Sequence, residues 1–317
     1  MKLYLSKTLG ALIALLLPLT LTSCEDIFGH WEQPINETTV FKKWNAATNS
    51  WETIDLSKYD HTELTPAFIA SKIQGGELTL TPGRYLVEDD VTIEANVLAG
   101  GGGALQLFLS NGKKLQINGA IACGENTNLE VISQESGALS VTSNTDNPAI
   151  MADNVTLDGG NVTLENTSGG EGITTPGGKV TIPSGSVNIT TTSATGAGIS
   201  AAKVEVGGTD TPANVKVNSN SYGVFGDLML KFGGGYVKIH SQTDLGVYGT
   251  VFLYGGFGEI TGAIRACEYY RDWLRYALNF CFYTSDDGSN WTKDSSYSGT
   301  KTACTVKGIM VWPNDHF

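Results

Sequence analysis

The sequence predicts an all-β chain, a right-handed parallel β-helix of about seven three-strand coils with a cap at each end. Composition is the first reason. The chain has 39 Gly against 9 Pro, and 16% of its 317 residues are charged; Gly, Thr, Ser, Asn and Val crowd its middle, where they favour strands and turns over helices. The second reason is a recurrence of short apolar-x-apolar strands at a nearly constant spacing. The third is that all six tryptophans, Trp31, Trp44, Trp51, Trp273, Trp291 and Trp312, lie outside the recurring stretch, so the flanks do a different job from the middle.

Residues 1–23 read as a lipoprotein signal peptide. Lys2 and Lys7 precede an apolar run from Leu9 to Leu21, broken by Pro18 and small polar residues, which is too short for a spanning helix and has the layout of a secretory leader. The run ends Leu21-Thr22-Ser23-Cys24. That tetrad resembles a bacterial lipobox, and the resemblance implies that Cys24 is diacylated and becomes the mature N-terminus. Acyl chains would then hold the body at outer-membrane lipid without a spanning segment. Glu25-Asp26 resembles the signal of lipoproteins sent to the outer surface in some Gram-negative bacteria. Loss of Lys2 and Lys7 changes the net charge from -12 to -14 (-12 - 2), which suits a body exposed to solvent more than one lying on anionic lipid.

Residues 24–74 should form the tether and N-terminal cap. Up to about Tyr59 an irregular lead-in is expected. Thr65-Pro66-Ala67-Phe68-Ile69-Ala70-Ser71-Lys72-Ile73 reads as a short helix, with Pro in its first turn and apolar residues at 68, 69 and 73.

Residues 75–262 carry the β-helix. First strands start at Val155, Val180, Val204, Leu228 and Val251, second strands at Val162, Val187, Val215 and Val237, and third strands centre on Ile173, Ile199, Val224 and Val247. The first-strand steps are 25, 24, 24 and 23 residues (180-155, 204-180, 228-204, 251-228). Three sets sharing one period is the arithmetic of stacked coils, with Val, Ile and Leu piled inward and Thr, Asn, Glu and Lys outward. Ile182, Val206, Leu230 and Leu253 should therefore form one inward column. Glycine at most corners is expected to supply positive φ. A β-sandwich would need longer strands joined by two-residue hairpins, which are scarce.

Residues 263–317 should form a C-terminal cap with a β-hairpin, since an open coil end exposes unpaired strand edges. Glu268 to Leu278 is a candidate amphipathic helix and Phe280 to Tyr283 an apolar strand. Thr284-Ser285-Asp286-Asp287-Gly288-Ser289-Asn290-Trp291 resembles an Asp-box turn, read here as structural, with the Asp bonding the turn and Trp291 packing over it. Outside the lipobox the cysteines are Cys123, Cys267, Cys281 and Cys304. They lack Cys-x-x-Cys spacing, so zinc is unsupported. One disulfide among 267, 281 and 304, or simple buried thiols, are both open.

For function, charge excludes one class of partner. With 20 Lys plus Arg against 32 Asp plus Glu, no basic cluster can neutralise a run of phosphates, so nucleic acid is not expected. Catalysis has no visible seat. Among the middle residues of the strands no face shows two carboxylates at coil-adjacent positions, as glycoside hydrolysis requires. The four His, at 30, 61, 240 and 316, are scattered, and Gly100 to Gly103 lacks a phosphate-loop pattern. Neither a metal nor a cofactor is expected.

Phe108-Leu109-Ser110-Asn111-Gly112-Lys113-Lys114-Leu115, the spaced Gly-Gly corners and Gly170-Glu171-Gly172-Ile173 make the stretch from Leu105 to Ile182 resemble the parallel β-helix carbohydrate-binding surface lipoproteins of Gram-negative bacteria. The resemblance implies a non-catalytic, adhesin-like protein that binds a polysaccharide or host glycan. Members of that group often carry Asp-Gly-Asp-Gly corners for calcium. Here those corners read Gly170-Glu171-Gly172, Gly196-Ala197-Gly198 and Ser221-Tyr222-Gly223, too poor in carboxylates for an ion that takes six to eight oxygens.

The candidate ligand-binding residues are aromatic, because sugar rings stack their C–H faces on aromatic rings. They are Tyr222, Phe225, Tyr236, Tyr248 and Tyr254. Phe225 and Tyr248 end an outward column that begins Thr174, Ser200, and Met229 and Phe252 form an apolar column beside it. The competing expectation is that the segment after Ala263 folds over these columns. A polysaccharide lyase or glycoside hydrolase on the same scaffold, and a purely structural surface component, are the alternative functions.

Overall fold

The computed structural model describes residues 39–45, 48, 50–192, 194–208, 212–230, 235–253, 257–269, 281–285, 292–294 and 305–310. Residues 41–317 belong to one compact unit; residues 1–40 form another, of which only Thr39 and Val40 are described. The signal segment, Cys24 and Tyr254 lie outside the described residues. Among the described residues no helix is long and apolar enough to cross a membrane.

The body is a parallel β-helix of about seven turns. Three columns of register partners run its length. In the first sheet Leu105, Leu129, Val155, Val180, Val204, Leu228, Val251 and Cys267 are successive register partners. In the second, Val91, Leu115, Leu139, Val162, Val187, Val215 and Val237 follow one another. In the third the series is Leu78, Val97, Ile121, Ile150, Ile173, Ile199, Val224, Val247 and Ile264. The expected column Ile182, Val206, Leu230, Leu253 is present as consecutive pairs. Those of these apolar residues up to Val247 whose side chains are described are at most 3% exposed. Each residue thus repeats its neighbour's environment one strand spacing, ~4.8 Å, further on.

The corner between the second and third sheets has two ladders of its own. Ser143, Asn166, Thr191, Ser219 and Ser241 are register partners and all buried. Asn166 Nδ2 donates to the carbonyls of Asn147 and Glu171, and Thr191 Oγ1 donates to Ser219 Oγ at 3.0 Å, so the buried corner keeps its polar groups paired. Beside them stand Gly172, Gly198 and Gly223, none at positive φ. The expectation of positive φ fails there because the constraint is space. A Cβ on Gly198 would meet Val217 and come within 2.8 Å of the Gly223 carbonyl, and one on Gly172 would come within 2.5 Å of the Gly198 carbonyl. Positive φ is used elsewhere, as at Gly226, with φ of 136°.

The N-terminal region is more ordered than a lead-in. Strands β1 (Val40–Asn45) and β2 (Ser50–Asp55) pair as a two-stranded sheet. A second core lies on the outside of the solenoid, where Phe41 and Leu56 pack with Leu86, Phe108 and Ile132, all at most 1% exposed. The expected helix is α1 (Pro66–Lys72), with Thr65 as N-cap accepting from the Phe68 amide and Pro at its start.

At the other end the coils continue past 262. The strand Phe257–Tyr269 still pairs in parallel with the coil before it, through Val251↔Cys267 and Leu253↔Tyr269. Glu268 and Tyr269 are therefore strand; the rest of the expected helix, and residues 286–291 of the Asp-box-like turn, lie outside the described residues. The flanking strands Cys281–Ser285 and Thr292–Asp294 do pair antiparallel as a hairpin. Thr305–Met310 then lies antiparallel on the first half of Phe257–Tyr269, from Phe257 to Ala263, so that part of the last coil's edge is paired rather than left open. The alternatives of one disulfide or simple buried thiols among 267, 281 and 304 fall on side chains outside those described. Cys123, by contrast, is a buried free thiol, and burial, with Asp153 adding to it, pushes its pKa up to about 11.

Candidate functional site: an aromatic cluster on the third sheet

The outward column of the third sheet is Thr79, Leu98, Ala122, Met151, Thr174, Ser200, Phe225 and Tyr248, each the register partner of the next. Thr174 and Ser200 immediately precede the two aromatic rings, and further back the column holds Met151, itself 37% exposed, and Leu98. Phe225 and Tyr248 stack with centroids 4.7 Å apart and planes 1° apart. Centroid separation matches the ~4.8 Å strand spacing, so the stack runs along the axis of the solenoid.

Tyr222 completes the cluster. It precedes Gly223 at the corner, where its carbonyl accepts from the Gly198 amide at 2.9 Å, and its ring meets both stacked rings edge-on, with centroids 5.6 Å away. Phe225 is 42% exposed, one of the few large apolar side chains so open, while Tyr222 and Tyr248 are half-buried. Three of the five residues singled out in the sequence thus come together. Tyr236 does not join their column, since it belongs to the second sheet in register with Asn214 and Phe257. Tyr254 lies outside the described residues.

The neighbouring outward column of the first sheet holds Thr156, Thr181, Glu205, Met229 and Phe252. Glu205 is 6% exposed and accepts from Lys203 at 2.8 Å and Lys179 at 3.4 Å, which balances its buried charge. Met229 is half-buried; the Phe252 side chain lies outside those described. Thr174, one coil before Ser200, donates from Oγ1 to the Glu171 carboxylate.

One expectation about carboxylates is corrected. Glu130 and Asp158 project outward from adjacent coils of the first sheet, Asp158 opposite Ile132, two residues along from Glu130. Glu130 is a strand centre but has Gln106 and Thr156 as its register partners, and only Asp158 lies off the strand centres. Asp158 is 1% exposed, and accepts from the Trp44 amide at 2.6 Å and from Ser184 Oγ at 3.1 Å. Glu130 binds Lys43 Nζ at 2.7 Å and Gln106 Nε2 at 2.6 Å. Burial raises the Asp158 pKa to about 6, the Glu130 charge adds to the rise, and the Trp44 and Ser184 hydrogen bonds and Lys43 oppose it. A buried carboxyl with a raised pKa is a group that acid–base work uses, but β1 lies over Asp158, which is 1% exposed, so no polysaccharide reaches it while the hairpin is seated. Its visible work is to hold that hairpin. Among the described residues no group of three or more His, Cys, Asp or Glu could hold a metal ion.

Comparison with protein-family models, with curated proteins and with solved structures finds no match to this chain.

Proposed function

We propose that this protein is a lipid-anchored, non-catalytic carbohydrate-binding surface protein, adhesin-like in action, in which the β-helix is a stiff presenter and the Tyr222, Phe225 and Tyr248 cluster is the ligand platform. The observation that supports it most is the exposed ring of Phe225, in a face-to-face stack with Tyr248, next to two coils that carry only Ser200 and Thr174 in the same column. Cross-strand stacking gives the sheet at most about 1 kcal/mol and still leaves the Phe225 ring exposed, whereas a pyranose gains an apolar surface for its C–H face. The register fixes where the rings stand, so the platform needs little ordering on binding. Anchoring through Cys24 at the outer membrane, facing outward, follows from the lipobox resemblance and the acidic pair after it.

A glycan array probed with the intact protein and with the Phe225→Ala/Tyr248→Ala variant tests this reading. Binding by the first and its loss in the second is the expected result. An array that retains neither overturns it, and reducing-end or unsaturated product released from polysaccharides would replace it with the enzyme reading.

A further inference from the structure

Building on that reading of the cluster, the geometry points to one subsite for a neutral pyranose ring: it continues the stack on the free face of Phe225, lying over Ser200 with its hydroxyls toward Ser200, Thr174 and Glu171. Three observations carry this. Tyr248 stacks on one face of Phe225 at 4.7 Å and Tyr222 meets both rings edge-on. The stack runs along the solenoid, so the other face of Phe225 looks toward the preceding coil, whose residue in the column is Ser200. Serine is too short to fill the height of an aromatic ring, and Phe225 is 42% exposed. The room above Ser200 is one strand spacing, about 4.8 Å, along the axis, the separation at which a sugar ring packs on an aromatic face.

The polar groups below that room select the ligand. Thr174 is the next column member, and its hydroxyl proton is spent on Glu171, which leaves Thr174 Oγ1 as an acceptor. Glu171 adds carboxylate acceptor capacity. Acceptors call for a ligand rich in O–H donors. The column itself contains no cation, and Lys179 and Lys203 are engaged with Glu205. A carboxylate-bearing sugar would meet Glu171 without a counter-charge, in a chain of net charge -12, so anionic uronates are rejected and neutral hexopyranoses accepted.

Calorimetric titration of the whole protein with neutral tetrasaccharides of glucose, galactose and mannose, and with tetragalacturonate as the anionic counterpart, tests the inference. At least one neutral tetrasaccharide is expected to bind tenfold or more tighter than tetragalacturonate. Ser200→Phe, which extends the stack into the subsite and leaves all three rings in place, is expected to weaken that binding at least tenfold. Thr174→Val, which removes the acceptor without adding bulk, is the second variant and should weaken it severalfold. Equal or stronger binding of tetragalacturonate, or undiminished binding by both variants, overturns the subsite while leaving the glycan reading standing. Array binding with no tetrasaccharide bound also overturns the subsite alone. Failure on both the array and the titrations overturns the two together.

Discussion

Asp158→Asn separates the electrostatics of the N-terminal hairpin from its packing. The wild-type carboxyl has a pKa of about 6 when the hairpin is seated, against an ordinary 3.8, because it sits almost fully buried beneath Trp44. That difference corresponds to about 3 kcal/mol between the protonated and ionised forms. Below about pH 4 the carboxyl is protonated in both the seated and the opened states. Between about pH 4 and 6 only the seated state keeps the proton, so seating weakens progressively with rising pH and levels off above 6. Asparagine retains an oxygen to accept from the Trp44 amide but has nothing to titrate. Hydrogen exchange at that amide, compared between the two proteins at each pH so that intrinsic exchange cancels, reads the effect locally. Protection in the wild type relative to the variant should fall by on the order of 100-fold from pH 4 to pH 7. A ratio constant across that range would refute the assigned burial of the charge.

Three further outcomes are expected. Gly198→Ala should cost about 1–3 kcal/mol in urea unfolding because its Cβ meets Val217 and the Gly223 carbonyl, whereas Gly100→Ala, with nothing within 4 Å of its Cβ, should change stability by less than about 0.5 kcal/mol. Cys123, with its thiol pKa pushed up to about 11, should resist iodoacetamide at pH 8 in the folded protein and react promptly in urea, as peptide mapping by mass spectrometry would show. Cys24→Ser should move the protein from the detergent phase to the aqueous phase, and continued partitioning with membranes would contradict lipidation.

The coils were legible because an inward position between Val91 and Val247 repeats its chemistry at steps of 22 to 29 residues (237-215, 150-121), most of them 23 to 26, so the register could be written down from Val, Ile and Leu alone. The outer surface follows no such rule, and there the reading was partial. Leu86, Phe108 and Ile132 are outward residues that form an apolar column at steps of 22 and 24 (108-86, 132-108), the signal that something packs on them. Trp44 and Phe41 in the presumed lead-in were its counterpart. Asp158 was not legible because it follows the apolar triplet Val155–Leu157, inside the longer strand Val155–Asn166 and beside a register shift between Thr156 and Asp158. The aromatic column was visible for the opposite reason, since Phe225 and Tyr248 stand mid-strand at the period itself. The edge contact with Tyr222 depends on how the corner turns at Gly223, which spacing alone does not specify.

The central claim is that sugar is held on the aromatic column, and the most direct measurement is a titration of the strongest array ligand followed by NMR on protein carrying labelled Phe and Tyr rings. Expected are ring-proton shifts confined to Phe225, Tyr248 and Tyr222, with saturation passing from Phe225 to the C–H face of the sugar. A ligand that saturates the protein while these three rings stay unmoved would contradict it.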